Sequence, residues 1–311
     1  MQYPVARQGA WKIALLVVLL ALAVAFPGCV PAKQSGRLKV AVSIVPLADF
    51  VRQVGDGLVE VETLIPPGAS AHTYEPTARQ LAFLTKAGLF VTNGLQLETW
   101  ASSVVDKVGK RELLKVVASD AIPRSRLIKA GQYGGEKDLT GPYDPHVWLD
   151  PPLAAYEVDA IAAGLSKADP AHAATYMKNA AAYQQKLKAL DSETESRTAT
   201  FKKKDFVALH PAWAYYARRY GLTQAGAIEE LPGQEPSGEK INKLIDDIRR
   251  RKINVVFAEP QINPKAAQVV AAEAGARLLF LDALGNPDKP DVSTYIKMIQ
   301  HDTAVMEEAL R

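Results

Sequence analysis

From residue 38 onward, short apolar runs alternate with stretches whose apolar positions recur every three or four residues. Leu38–Val45 reads as a buried strand ended by Pro46, with a helix following through Gly55. Val59–Ile65 alternates apolar and polar positions, the mark of a strand covered on one face, and Pro66-Pro67-Gly68 stops it. The same reading predicts a helix over Thr77–Ala87, a strand over Gly88–Asn93, a helix over Leu97–Val108 and a strand over Leu114–Ala118. Strands that alternate with helices imply a parallel sheet with crossover connections. Residues 124–143 are polar and glycine-containing and read as an irregular loop.

Beyond that loop the pattern turns helical. Leu153–Lys167 is rich in alanine. A second helix starts near Asp169-Pro170, with Asp as N-cap and Pro in the first turn, and runs to about Ala199. At the usual rise, about 30 residues span about 45 Å, more than one domain's core requires. It is read as a backbone helix between two lobes. The second half repeats the logic of the first. Strands are predicted at Asp205–His210, Thr223–Ile228, Asn254–Ala258 and Arg277–Leu281, with helices at Ala212–Tyr220, Ser237–Lys252, Pro264–Ala274 and Tyr295–Leu310. The expected fold class is α/β: two lobes, each a mainly parallel β-sheet flanked by helices, joined by one long helix. The boundaries are 38–168, 169–200 and 201–311.

The N-terminus belongs to neither lobe. Arg7 and Lys12 precede an uninterrupted apolar run, Ile13–Phe26, too short to span a bilayer comfortably. Residues 1–28 therefore read as a signal peptide and 29–37 as a tether, so the protein is expected to be exported, to the periplasm or the cell surface. Cys29, the only cysteine, follows the apolar run and cannot form an internal disulfide. It is the expected lipid-attachment residue, and so the membrane contact, although Phe26 and Pro27 depart from the usual lipobox. The chain of 311 residues carries a formal charge of +3. Without Arg7 and Lys12 its 37 basic residues become 35, against 34 acidic ones. That near-neutral balance gives no electrostatic case for nucleic acid.

Candidate chemistry sits on histidine. His146 lies between two Asp-Pro elements in Asp144-Pro-His-Val-Trp-Leu-Asp-Pro151, where the prolines enforce a stiff, non-helical loop. His72 follows the break after the second strand, His210 ends a strand before Pro211, and Asp282 directly follows another strand. His172 and His301 lie in helices among polar neighbours and read as surface residues. Ligands of open α/β sheets bind at the carboxyl ends of the strands. With two of these four residues in each lobe, an inter-lobe cleft would unite them as three imidazoles and a carboxylate, a plausible zinc shell. Four protein donors favour binding over catalysis, since a catalytic zinc keeps an open position. No His-Glu-x-x-His pair, nucleophile elbow, phosphate loop or dinucleotide fingerprint is present. The rival reading of a secreted zinc hydrolase would need an open coordination site and Glu259 as general base; a surface adhesin is the other rival.

Pro67-Gly-Ala-Ser-Ala-His-Thr-Tyr-Glu-Pro76, Asn93-Gly94 with Glu98 and Trp100, the Asp144–Pro151 segment, and His210-Pro-Ala-Trp-Ala-Tyr-Tyr216 with Tyr220-Gly-Leu222 resemble the zinc/manganese solute-binding proteins of bacterial ABC transporters. The resemblance runs through the whole mature chain. It implies two α/β lobes bridged by one long helix, a single metal between them, delivery to a membrane permease, no enzymatic activity and a monomer. Its ligands fall on His72, His146, His210 and Asp282. Manganese members often have a carboxylate at the third position, and imidazole suits zinc better. Zinc is therefore expected and manganese is the alternative, because residues 73–145 lack the histidine-rich insertion of many zinc members. Glu75 and Asp144 are expected to orient ligand imidazoles, and Glu259 to line the cleft or substitute as a ligand. Trp148, Trp213 and Tyr215 read as packing residues. The long helix is expected to resist wide hinge closure.

Overall fold

The computed structural model describes residues 1–2, 36–109, 113–134 and 141–311. Most of the signal segment and Cys29 lie outside the described residues. The first half runs β1 (Leu38–Val42), α1 (Val45–Gly55), β2 (Val59–Thr63), α2 (Ala78–Leu84), β3 (Leu89–Thr92), α3 (Ala101–Val108) and β4 (Leu114–Val117). Two helices follow, α4 (Pro151–Ala168) and α5 (Ala173–Ala199). The second half runs β5 (Asp205–Ala208), α6 (Ala214–Arg219), β6 (Thr223–Ala227), α7 (Gly238–Arg251), β7 (Val255–Ala258), α8 (Lys265–Ala274), β8 (Arg277–Phe280) and α9 (Tyr295–Leu310).

The strands form two parallel sheets with the same order, β2-β1-β3-β4 and β6-β5-β7-β8. In each, the chain leaves the first strand toward one edge and then returns toward the other. The crevice at that reversal, outside the carboxyl ends of β1 and β3 or of β5 and β7, is where such sheets take ligands. Ser43 and Asn93 directly follow β1 and β3, and Glu259 directly follows β7. β3 and β7 are buried along their whole length, as strands covered by helices on both faces should be.

Local chemistry sets the helix starts. Pro46 opens α1, and Thr77 and Gln80 form a reciprocal capping box at α2. Asp150 caps α4 through Leu153 N at 3.4 Å, with Pro151 at the first helical position. One Asp-Pro element of the His146 loop is thus a helix start. α3 begins at Ala101, later than the predicted Leu97: the chain turns through Leu95 and Gln96, with φ values of 52° and 65°, and stays in a bend and turn through Trp100.

α5 is the long joining helix, 27 residues, or about 40 Å. Its buried positions, Tyr176, Ala180, Tyr183, Leu187, Leu190, Thr194 and Thr198, recur every three or four residues and face α1, α4 and α9. Asp169 does not cap it as expected. A single 3-10 turn intervenes at Pro170–His172, and the Asp169 carboxylate accepts the Tyr176 hydroxyl at 2.7 Å and lies 2.6 Å from His172 Nδ1. Farther along, Arg219 meets Asp191 through two bonds, and Arg197 holds Glu307 on α9 at 2.7 Å. Arg37–Arg311 forms one compact unit, and one apolar core runs from Val40 and Phe50 through Tyr183 to Phe206 and Met306. The two lobes thus share a core.

Two buried acids flank the first crevice. Glu98 accepts Asn93 N at 2.8 Å and Gly94 N at 3.1 Å. Gly94 has φ +90°, and a Cβ there would meet Val117 and Ser119. Glu157 on α4 is fully buried, and neither carboxyl oxygen has a hydrogen-bond partner among the described residues. Burial, reinforced by the charge of Glu98, pushes the Glu157 carboxyl well above the ordinary range. The folded chain therefore keeps a proton that the unfolded chain releases near about pH 4.3, and this group's contribution to stability falls as pH rises beyond that point. Glu157→Gln should raise the thermal midpoint at pH 8 by about 2–4 °C, the scale of about 1 kcal/mol in a domain of this size. At pH 4 the gain should vanish. Thermal melts at the two pH values check this.

Candidate metal centre

The loop from Asp144 to Asp150 is clamped on every side. Asp144 N donates to Ile128 O at 2.9 Å, and the Tyr215 hydroxyl donates to Asp144 O at 2.9 Å while accepting Ile128 N at 3.0 Å. Asn93 Nδ2 donates to Pro145 O at 3.0 Å, which ties the loop to the first crevice. The Trp148 indole N–H donates to Ala283 O at 2.7 Å, across to the segment after β8. Tyr295 on α9 donates its hydroxyl to Trp148 O at 2.7 Å. Trp148 and Tyr215, read as packing residues, are fully buried, and each also supplies hydrogen bonds. The stiff loop expected from its prolines is held mainly by these bonds.

Three imidazoles meet at this loop. His72 lies in the turn after β2, where Tyr74 N bonds Ser70 O at 3.1 Å and the Tyr74 hydroxyl bonds Gln80 of the α2 cap at 2.8 Å. His146 and His210 are buried and His72 is half-buried. His210 sits two residues past β5, at the second crevice, where Leu209 N pairs with Phe257 O at 2.6 Å. One nitrogen from each of His72, His146 and His210 can be chosen so that all three lie within 4.8 Å of one another. His72 Nε2 and His146 Nε2 are 3.3 Å apart. Two imidazole lone pairs at that distance need a proton or a cation between them. Two ligands bound at 2.0–2.1 Å with tetrahedral angles would stand about 3.3 Å apart, so the spacing fits zinc.

The carboxylates divide by position. Asp144 is fully buried, and its Oδ1 accepts His146 N at 2.9 Å and lies 3.0 Å from His146 Nδ1. That contact fixes Nδ1 as the protonated nitrogen and turns the Nε2 lone pair into the crevice. Glu259 Oε1 lies 3.4 Å from His210 Nδ1, a looser version of the same arrangement. Glu75 is exposed, outside the buried shell. Asp282 is buried just past β8, yet it does not join the three-histidine set among the described residues. Its Oδ1 accepts Gln261 Nε2 at 2.6 Å, Gly285 N at 2.9 Å and Leu284 N at 3.2 Å. Its backbone N donates to Asp302 Oδ1 at 2.8 Å, and burial pushes the Asp302 carboxyl well above its ordinary range. Gln261 and Asp302 gave no signal in the sequence, being single polar residues in a turn and on a helix.

The family described as zinc-uptake complex component A, periplasmic, matches residues 40–309. The chain belongs to this family. The zinc-binding lipoprotein AdcA of Streptococcus pneumoniae is 31% identical over 304 residues, covering 96% of this chain and 60% of AdcA. The chain thus spans about three fifths of that relative's length. The manganese-binding lipoprotein MntA of Bacillus subtilis is 31% identical over 286 residues, covering 88% of this chain and 90% of MntA. Among solved structures, the periplasmic zinc binding protein TroA of Treponema pallidum superposes with a TM-score of 0.80 at 26% identity, over 88% of this chain and 99% of that one. Family membership and the two-sheet fold with its joining helix agree with the resemblance found in the sequence.

The clamp on the His146 loop makes a direct expectation. Tyr215→Phe removes the acceptor of Ile128 N and the donor to Asp144 O, leaving buried backbone groups unsatisfied. It should lower unfolding free energy by about 1–3 kcal/mol, as read from urea denaturation.

Proposed function

We propose that this chain captures Zn²⁺ in the cleft between its two sheets and delivers it to the membrane permease of an ABC transporter. His72, His146 and His210 supply three nitrogens, and Asp282 closes the shell through a carboxylate oxygen. The observation that carries the reading is the convergence of three imidazoles, two of them with Nε2 atoms 3.3 Å apart. Asp144 orients His146 by accepting a hydrogen bond from its Nδ1–H, and Glu259 lies close enough to His210 Nδ1 to act in the same way. Three nitrogens with one oxygen suit zinc, while manganese prefers more oxygen. The zinc-binding names of AdcA and TroA support zinc, and that of MntA keeps manganese as the alternative.

Export and anchoring belong to the same reading. The apolar N-terminus and Cys29 match the lipoprotein names of AdcA and MntA. Cys29→Ser should release the protein from the membrane fraction into the soluble one; retention there would contradict the anchor.

The purified mature protein, stripped and titrated, should take up one equivalent of zinc that excess manganese does not displace. Replacing His72, His146 or His210 by Ala should each weaken zinc binding on the order of a hundredfold or more, and Asp144→Asn by about 10–100-fold. His172→Ala, in the half-exposed pair with Asp169, should leave it unchanged. Protons compete for the same nitrogens, so affinity should fall below about pH 6. Calorimetric titration from pH 5 to 8 reads this, and a flat profile would contradict the three-histidine shell. Preferential retention of manganese would move the assignment to the other metal.

A further inference from the structure

The chemistry around Asp282 bears on which metal the site selects, given the ligand reading above. The Glu259-Pro-Gln261-Ile262 turn after β7 brings Gln261 to the wall of the crevice that also holds His72, His146 and His210. Its amide orientation is settled by chemistry: a carboxylate oxygen is an acceptor, so the atom 2.6 Å from Asp282 Oδ1 is Nε2. The same Oδ1 accepts two backbone N–H groups from the Leu284-Gly285 turn. Gly285 makes that turn possible, with φ +73° and a Cβ position only 3.0 Å from Val292 O. Three donors converge on Oδ1.

We infer that Gln261 is a metal-selectivity residue: by holding Asp282 Oδ1 it leaves Oδ2 as the one oxygen this carboxylate gives the metal. The resulting shell of three nitrogens and one oxygen is four-coordinate, the number zinc takes in closed protein sites. A manganese ion, which favours a larger shell rich in oxygen, would draw on both carboxylate oxygens. To supply the second, Asp282 must surrender a short hydrogen bond to a charged acceptor, the strong kind. With the glutamine absent, the two backbone donors still bond Oδ1 and keep the turn in place, so a Gln261 variant removes one of three bonds from that oxygen, the shortest of them. Glu259 and Asp144 do not perform this task, since they face imidazole nitrogens.

The test compares zinc and manganese affinities, by competition titration, for the mature protein and for Gln261→Met and Gln261→Ala. The first variant keeps the volume without the donor, and thermal melts report folding for both. The zinc-over-manganese ratio should fall about tenfold in each, mainly through tighter manganese binding. A crystal structure of the zinc-loaded wild type should show four ligands, with Asp282 bound through Oδ2 alone. An unchanged ratio in both folded variants, or a bidentate Asp282 in the wild-type zinc site, overturns the role of Gln261. Asp282→Ala, run alongside, separates the two levels. If it weakens zinc while the glutamine variants keep the ratio, only the selectivity role fails. If it leaves zinc binding at the wild-type value, Asp282 is not a ligand and both fail.

Discussion

Everything at the candidate metal centre depends on holding three imidazole rings with nitrogens close to one point. Such an arrangement is repulsive without a cation or protons, so it persists only where surrounding bonds over-determine it. The Asp144–Asp150 loop shows how this is done. Its backbone is held by Asn93 from the first sheet, by Tyr215 and Ile128, and by Tyr295 from the last helix. Its indole reaches Ala283 beyond the second sheet. The ring of His146 is then fixed by Asp144, two residues away. The loop is bonded to both halves of the chain and is the piece against which they are registered.

The polar burial this requires is considerable. Glu157 and Asp302 are fully buried carboxyls that favour their neutral forms at the fold's expense. Asp302 at least pins the backbone of Asp282. Among the described residues Glu157 makes no comparable bond. Stability in this molecule comes from the continuous apolar core and from α5, whose buried stripe spans both halves.

Much of this was legible in the sequence, for physical reasons. Strands such as β3 and β7 are short apolar runs, β2 alternates apolar and polar positions, and the alternation of strands with helices dictated parallel sheets. The joining helix was visible from its length. His72, His146 and His210 stood out because each follows a break or lies on a proline-stiffened loop. What was not legible is of two kinds. Helix starts at Ala101 and Ala173 depend on backbone angles and on the competing bonds of Asp169, which periodicity does not encode. Partners separated by more than a hundred residues, such as Trp148 with Ala283, exist only in the folded chain. Glu75 looked equivalent to Asp144 in the sequence, but the fold leaves one exposed and buries the other.

The spacing of the three histidines carries a further consequence. His72 and His146 are 74 positions apart, and His210 comes from beyond the long helix. In an unfolded chain, bringing any two together means closing a long loop before a single contact rewards it. A metal ion therefore has little to grip until both sheets and the joining helix are in place. The order of events is built into the chain: assembly first, occupancy second. On the proposed function, the ion is then a passenger on a finished scaffold, free to leave without unfolding the protein.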